Sequence, residues 1–177
     1  AVLNSLVQSD YDQVGSIITK LWEDPEPVVK AAALTQGFAL EVEGVVAKGK
    51  AAVKKGPLIV SRAGLAGLAQ ADPPFLASLW EARADQLKPG LHLDAWILLR
   101  DSGADSATTY AADPANVHRL SLQGGDVARG EVVFRNQGAC LQCHKVGSDG
   151  GVQGPDLTQV GGRLNREKIL EAVINPG

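Results

Sequence analysis

Over the first two-thirds of the chain, apolar residues recur every three or four positions, and alternating Val, Ile and Thr runs are scarce. This periodicity constrains the fold most, because it builds helix stripes and leaves no basis for a sheet. The set Tyr11, Val14, Ile17, Ile18, Leu21 and Trp22 has helical spacing, with Ser9 or Asp10 available to cap it. Asp24-Pro25 offers a cap and a first-turn proline ahead of Val28, Ala31, Ala32, Thr35, Phe38 and Ala39. Asp72-Pro73 repeats that start before Leu76, Leu79, Trp80, Arg83 and Leu87. Val45 to Lys55 and Leu58 to Ala69 read as weaker helices between them, Leu91 to Arg100 and Ala104 to Ala112 follow, and Asp113-Pro114 is expected to stop the series. The expected fold class is all-α.

Paired helices with Asp-Pro starts and short connections suggest antiparallel pairs stacked as in HEAT or armadillo repeats. The period is irregular, so a plain helical bundle remains an alternative. Glycine then divides the chain: nine glycines lie in residues 1–122 and eleven in the much shorter 123–177. With Gly124-Gly125 as punctuation, the expected domains are a HEAT-like helical segment, 1–122, and a second segment, 123–177.

At 177 residues, with 45% hydrophobic side chains, the chain can bury a core without a disulfide or metal framework, so its two cysteines need another explanation. The net charge of −3, without a long block of either sign, gives no nucleic-acid footprint. Lys48, Lys50, Lys54 and Lys55 read as a solvated helix face. No apolar run reaches the ~18 residues of a membrane helix, and no charged-then-apolar leader opens the sequence. The absence of methionine and the Ala1-Val2-Leu3 start read as a processed or excised chain. Trp22, Trp80 and Trp96 are expected as core anchors, and His92, between Leu91 and Leu93, as an interface histidine. Residues 1–122 carry no serine, histidine and acid constellation, phosphate-cradling loop or acidic metal cluster, so no catalytic residue is assigned.

The chemistry lies in Cys140-Leu141-Gln142-Cys143-His144, whose C-x-x-C-H spacing reads as a c-type haem attachment site. Thiols three residues apart on one turn can each bond a vinyl carbon on one side of a porphyrin, and the next residue turns its imidazole toward the iron. A Cys140–Cys143 disulfide would leave His144 without a role. A thioredoxin-like motif needs a βαβ setting that is absent, and a zinc site needs a second ligand pair where only His92 and His118 remain.

Gly125-Asp126 can cap a helix running to about Asn136, with Val127, Gly130, Val133 and Phe134 on one face, and Gly130 would let another helix approach closely. Gly147 to Gly151 reads as a flexible loop, Gly154-Pro155-Asp156-Leu157-Thr158 follows, and Asn165 caps a last helix that Asn175-Pro176-Gly177 ends. On these residues, 125–177 resembles the first two-thirds or so of a class I c-type cytochrome. With "GGDVARGEVVF", "CLQCHKVGSDGG", "GPDLT" and "LEAVINPG", the chain from Leu120 to Gly177 looks more narrowly like the haem domain that follows HEAT-like repeats in large exported, dehydrogenase-like bacterial proteins.

The resemblance implies one covalent haem c, with thioethers from Cys140 and Cys143 and His144 as axial ligand. It implies a hydrogen bond from His144 Nδ1–H to the Pro155 carbonyl, Leu157 against the haem, and Phe134 against a following helix. Members of the family usually supply a distal methionine from a later loop. This chain has none, so the domain is expected to be C-terminally incomplete, with the sixth position open, filled by His118 or His92, or filled by a lysine or a neighbouring chain. The expected function is electron transfer between a donor, such as a fused dehydrogenase domain, and a redox partner protein, in a periplasmic or otherwise exported location. An open-site haem protein binding small ligands or peroxide and a helical-repeat interaction scaffold are the alternatives.

Overall fold

The computed structural model describes residues 13–175. The expected caps Ser9 and Asp10, the apolar Tyr11, and the closing Pro176-Gly177 lie outside the described residues. Contacts divide the chain into two units, Ala1–Val117 and His118–Gly177.

The first unit is helical: α1 Val14–Leu21, α2 Pro27–Ala39, α3 Val45–Lys55, α4 Leu58–Ala71, α5 Pro73–Glu81, the single turn α6 Arg83–Gln86, a 3-10 turn Pro89–Leu91, α7 His92–Asp101 and α8 Asp105–Ala111. Helix α9, Pro114–Gln123, carries the division between the units. Helix α4 is the hub, packing on α2, α3, α5 and α7. The reason is in its sequence: Leu65 and Leu68 are fully buried, and Gly67 carries no side chain where a Cβ would lie 2.0 Å from the Phe38 ring. Phe38 of α2 can therefore lie against the α4 backbone.

Trp22, Trp80 and Trp96 are all buried, as expected of anchors. Trp96 Nε1 donates to the Ala107 carbonyl at 3.2 Å, and Trp80 meets Tyr110 edge-on at 5.0 Å with Arg83 over its face. Fully buried Ser61 donates to the Ala52 carbonyl at 2.8 Å, which also accepts the Gly56 N–H, and Lys88 Nζ donates to the Gly56 carbonyl, so both tie down the end of α3. The lysine face of α3 is less free than its pattern implies: Lys48 pairs with Glu23, and Lys50 with Asp72 at 2.6 Å.

Two helix starts differ from the sequence expectation. Helix α2 begins at the second proline, Pro27, because a proline disfavours the helical conformation in the residue before it, and Glu26 is extended at φ −82°, ψ 119°; the Asp24 carboxylate accepts the Glu26 N–H at 2.8 Å in the turn ahead of it. Asp113-Pro114 starts a helix instead of stopping one, since proline costs nothing at the first helical position and Asp113 accepts the Ala115 N–H at 2.9 Å.

In the second unit, Asp126 caps α10, Val127–Val132, by accepting the Arg129 N–H at 2.9 Å. The helix widens into a π turn, Val133–Gln137, where a continuous α-helix was expected, and nothing packs within 4 Å of the space beside Gly130. A 3-10 turn, Cys140–Gln142, follows. The expected flexible loop is a short antiparallel hairpin, β1 Lys145–Val146 and β2 Asp149–Gly150, with Lys145 opposite Gly150. Helix α11, Val160–Arg163, precedes α12, Arg166–Ile174, which Asn165 caps by accepting the Lys168 N–H at 2.9 Å. Arg166 donates to the Gly124 carbonyl at 3.1 Å, and Arg135 bridges Glu131 at 2.9 Å and Asp149 at 3.1 Å. Leu120 is the one buried apolar residue of this unit among the described residues. The fold class is all-α apart from this one hairpin.

Candidate functional site

The attachment segment is shaped by its backbone. Ala139 takes a left-handed conformation at φ 53°, which turns the chain out of the π turn into the 3-10 turn. The His144 N–H donates to the Cys140 carbonyl at 2.9 Å, closing one turn between first thiol and imidazole. Both thiols are free, Cys140 half-buried and Cys143 exposed. The two sulfurs are not joined, so the disulfide alternative does not describe this pair.

A second segment runs beside this turn. The Gly151 N–H donates to the Leu141 carbonyl at 2.9 Å, the Gly154 N–H to that of Cys143 at 2.8 Å, and the Leu157 N–H to that of Lys145 at 2.8 Å. Between the last two rungs, His144 Nδ1 lies 2.9 Å from the Pro155 carbonyl oxygen. A carbonyl only accepts, so Nδ1 carries the proton and Nε2 keeps its lone pair for a metal. The approach is close: a Cβ on Gly154 would lie 2.7 Å from the imidazole ring, and one on Gly150, at φ +106°, 2.1 Å from the His144 carbonyl oxygen. Gly150, read from sequence as part of a flexible loop, and Gly154 in the segment after it are what allow these contacts.

Leu157 is half-buried and follows the Pro155 carbonyl, whereas Phe134 lies half-buried on the π turn before the attachment segment. His118 is half-buried in α9, and its carbonyl accepts the Ser121 hydroxyl at 2.7 Å. Among the described hydrogen bonds and ion pairs none joins the His118 imidazole to His144. His92, in the helical unit, directs Nε2 at two carbonyls, Arg83 at 3.1 Å and Leu87 at 3.0 Å, the part of a structural histidine.

Residues that motif reading missed brace the second segment. The Thr158 Oγ1 accepts the Gly147 N–H at 2.8 Å, the Thr158 N–H donates to Asp156 Oδ1 at 2.8 Å, and Arg163 donates to the Asp156 carbonyl at 2.7 Å. The Thr158 hydroxyl and amide hold the Asp156 carboxyl below the usual carboxylate range. The Asp-x-Thr spacing is an Asx-turn signature and was the available signal.

The residues present fit a covalently held haem. Two unjoined thiols stand three positions apart, the imidazole beside them offers Nε2, and the unit exposes apolar side chains, Val127 at 90%, Val152 at 84% and Val173 at 74%. A large apolar group would give such a unit the burial that its own side chains do not. No group of three or more His, Cys, Asp or Glu that could hold a metal ion occurs among the described residues, so a zinc cluster is a poorer fit.

Thiols, oriented imidazole and helical frame together define a haem-binding electron-transfer module. Residues 127–177 match the family model described as Cytochrome c, so a cytochrome c domain stands at the C-terminal end of the chain and its cofactor is covalently attached haem c. No curated protein and no solved structure matches the chain.

Proposed function

We propose that the chain is an electron carrier with one haem c, held through thioethers at Cys140 and Cys143 and ligated by His144, that exchanges single electrons with a donor and a redox partner protein. When bound, the haem iron supplies the one-electron chemistry. The chain's own residues attach, orient and shield: the two thiols tether, the Pro155 carbonyl fixes the His144 tautomer, and Leu157 and Phe134 supply apolar cover. The observation that carries this reading is the 2.9 Å contact between His144 Nδ1 and the Pro155 carbonyl, because it presents Nε2 as a ligand beside two free thiols.

In this reading residues 1–122 form a HEAT-like helical domain that positions the cytochrome domain, 123–177, toward a donor such as a dehydrogenase domain. The absence of acid–base and nucleophile constellations from 1–122 supports a carrier over an enzyme. Among the described residues no helix is long and apolar enough to cross a membrane. Covalent haem attachment in bacteria takes place outside the cytoplasmic membrane, which supports a periplasmic or exported location.

Expression in a host that attaches haem c tests the proposal. The expected product is red, carries one haem by mass, and loses it in a Cys140→Ala, Cys143→Ala double variant. A colourless wild-type chain with two free thiols from such a host would overturn it.

The sixth position, open or taken by a residue such as His118, is read from the spectrum. A high-spin spectrum that changes on adding carbon monoxide supports an open site, whereas a low-spin spectrum lost in His118→Ala supports histidine ligation.

A further inference from the structure

The His144–Pro155 bond lies at an exposed site, where water competes for both partners. It persists only if the carbonyl is held in place before it is used, so what holds it matters. Backbone rungs flank Pro155, Gly154 N–H to the Cys143 carbonyl and Leu157 N–H to the Lys145 carbonyl. Between them lie Pro155, which has no N–H to anchor it, and Asp156. The chain beyond is tied by Thr158, whose Oγ1 accepts the Gly147 N–H of the hairpin turn at 2.8 Å while its own N–H donates to Asp156 Oδ1 at 2.8 Å. The hairpin is anchored in turn by Arg135 on Asp149 at 3.1 Å and follows His144 directly. Thr158 thus closes a ring of hydrogen bonds from the histidine through the hairpin turn to the segment that carries the accepting carbonyl.

We propose that Thr158 is a positioning residue for His144: its hydroxyl pins the Pro155 segment to the hairpin turn, keeps the carbonyl on Nδ1–H, and so sets how strongly Nε2 donates. The proposal rests on the reading of His144 as the axial ligand. A firmer Nδ1–H bond gives the imidazole more anionic character and favours the oxidised metal. Removing the hydroxyl should therefore raise the reduction midpoint.

The test uses the full holo chain with Thr158→Val, which keeps the shape and deletes the hydroxyl, Thr158→Ala as a second deletion, and Thr158→Ser, which restores the hydroxyl. The expected result is an upward shift of the midpoint in the Val and Ala variants, with exchange of the His144 Nδ1 proton accelerated about tenfold. Both readouts return toward wild type in Ser. A merely structural threonine would lower the unfolding temperature without moving the midpoint, and that result overturns the proposal, as does a Ser variant that behaves like Val. If the wild-type chain takes up no haem, the axial-ligand reading fails by itself. The clamp is then read in the haem-free chain from the ¹⁵N shifts of His144: mixed tautomers in Val against Nδ1–H in wild type uphold it, and identical shifts overturn it.

Discussion

The two units of this chain are held together by different means. In the helical unit, order comes from buried apolar side chains: Leu65, Leu68, Leu76, Leu79 and Trp80 have almost no exposure. From His118 onward Leu120 alone among the described apolar residues is buried, and order comes from hydrogen bonds between exposed segments: Asp126 and Asn165 caps, Arg135 and Arg166 bridges, and the rungs around His144. Net hydrogen bonds are each worth only about 0.5–1.5 kcal/mol in water, whereas a buried leucine is worth about 1.5–3 kcal/mol. The first unit is built to stand on its core, and the second is built around a group that must be added.

The largest effect that could break this contrast is removal of the haem. A tethered haem stays on the unfolded chain, so it stabilises the fold through the packing and ligation that only the folded state makes. The Cys140→Ala, Cys143→Ala double variant should lose protection from hydrogen exchange across 127–175 while the helices of the first unit keep theirs. Equal protection in both units would show that the second has a sufficient core of its own.

A core truncation should act the other way round. Leu65→Ala removes a fully buried side chain from the hub helix α4 and should cost about 2–5 kcal/mol in the helical unit. The haem spectrum should be unchanged, and thermal unfolding followed by far-UV and haem absorbance should give two transitions, of which only the first moves.

Gly154→Ala should do less to stability and more to the site. The new Cβ would fall 2.7 Å from the imidazole, so ring or segment must shift, at about 1–3 kcal/mol. Loss of the Nδ1–H signal of His144 with little change in the helical unit is the expected outcome. A retained signal would mean that the segment can yield without releasing the bond.

How far the sequence could be read differs between the units for the same physical reason. Helices α3 and α4 and the three tryptophan anchors were legible because burial of one face imposes a period. The helix start at Asp72-Pro73 was legible, and there the carboxylate accepts the Phe75 N–H at 3.1 Å. Helix starts were misread at Asp24-Pro25 and Asp113-Pro114, where the carboxylate takes the same N–H, two residues on, ahead of a turn in one case and a helix in the other. At the candidate site, Cys140, Cys143 and His144 stand out in the sequence because C-x-x-C-H is a fixed spacing, the one that the proposed attachment requires. The π turn, the hairpin and the brace of Thr158 and Arg163 were not, because hydrogen bonds between exposed backbone segments leave no periodic trace.

The smallest expected effect sharpens the comparison through pH. Lys50 and the Phe75 N–H hold Asp72 below the usual carboxylate range in the helical unit, Lys48 does the same for Glu23, and Thr158 does so for Asp156 in the cytochrome unit. A carboxyl with a lowered folded-state pKa binds fewer protons folded than unfolded, so its contribution is fully present above its ordinary value near pH 4 and is lost as pH falls through the folded value. Glu23 and Asp156 are exposed and Asp72 is only half-buried, so the contributions are small and screened by salt. Both units should weaken below about pH 4, and Asp72→Asn should flatten the acid limb of the helical transition alone. Asp156→Asn should flatten that of the cytochrome transition, because the lost charge weakens the turn that carries Thr158. Acid unfolding of the second unit that ignores Asp156→Asn, at low salt and with haem attached, would show that the haem has taken over from these hydrogen bonds as the support of the segment beside His144.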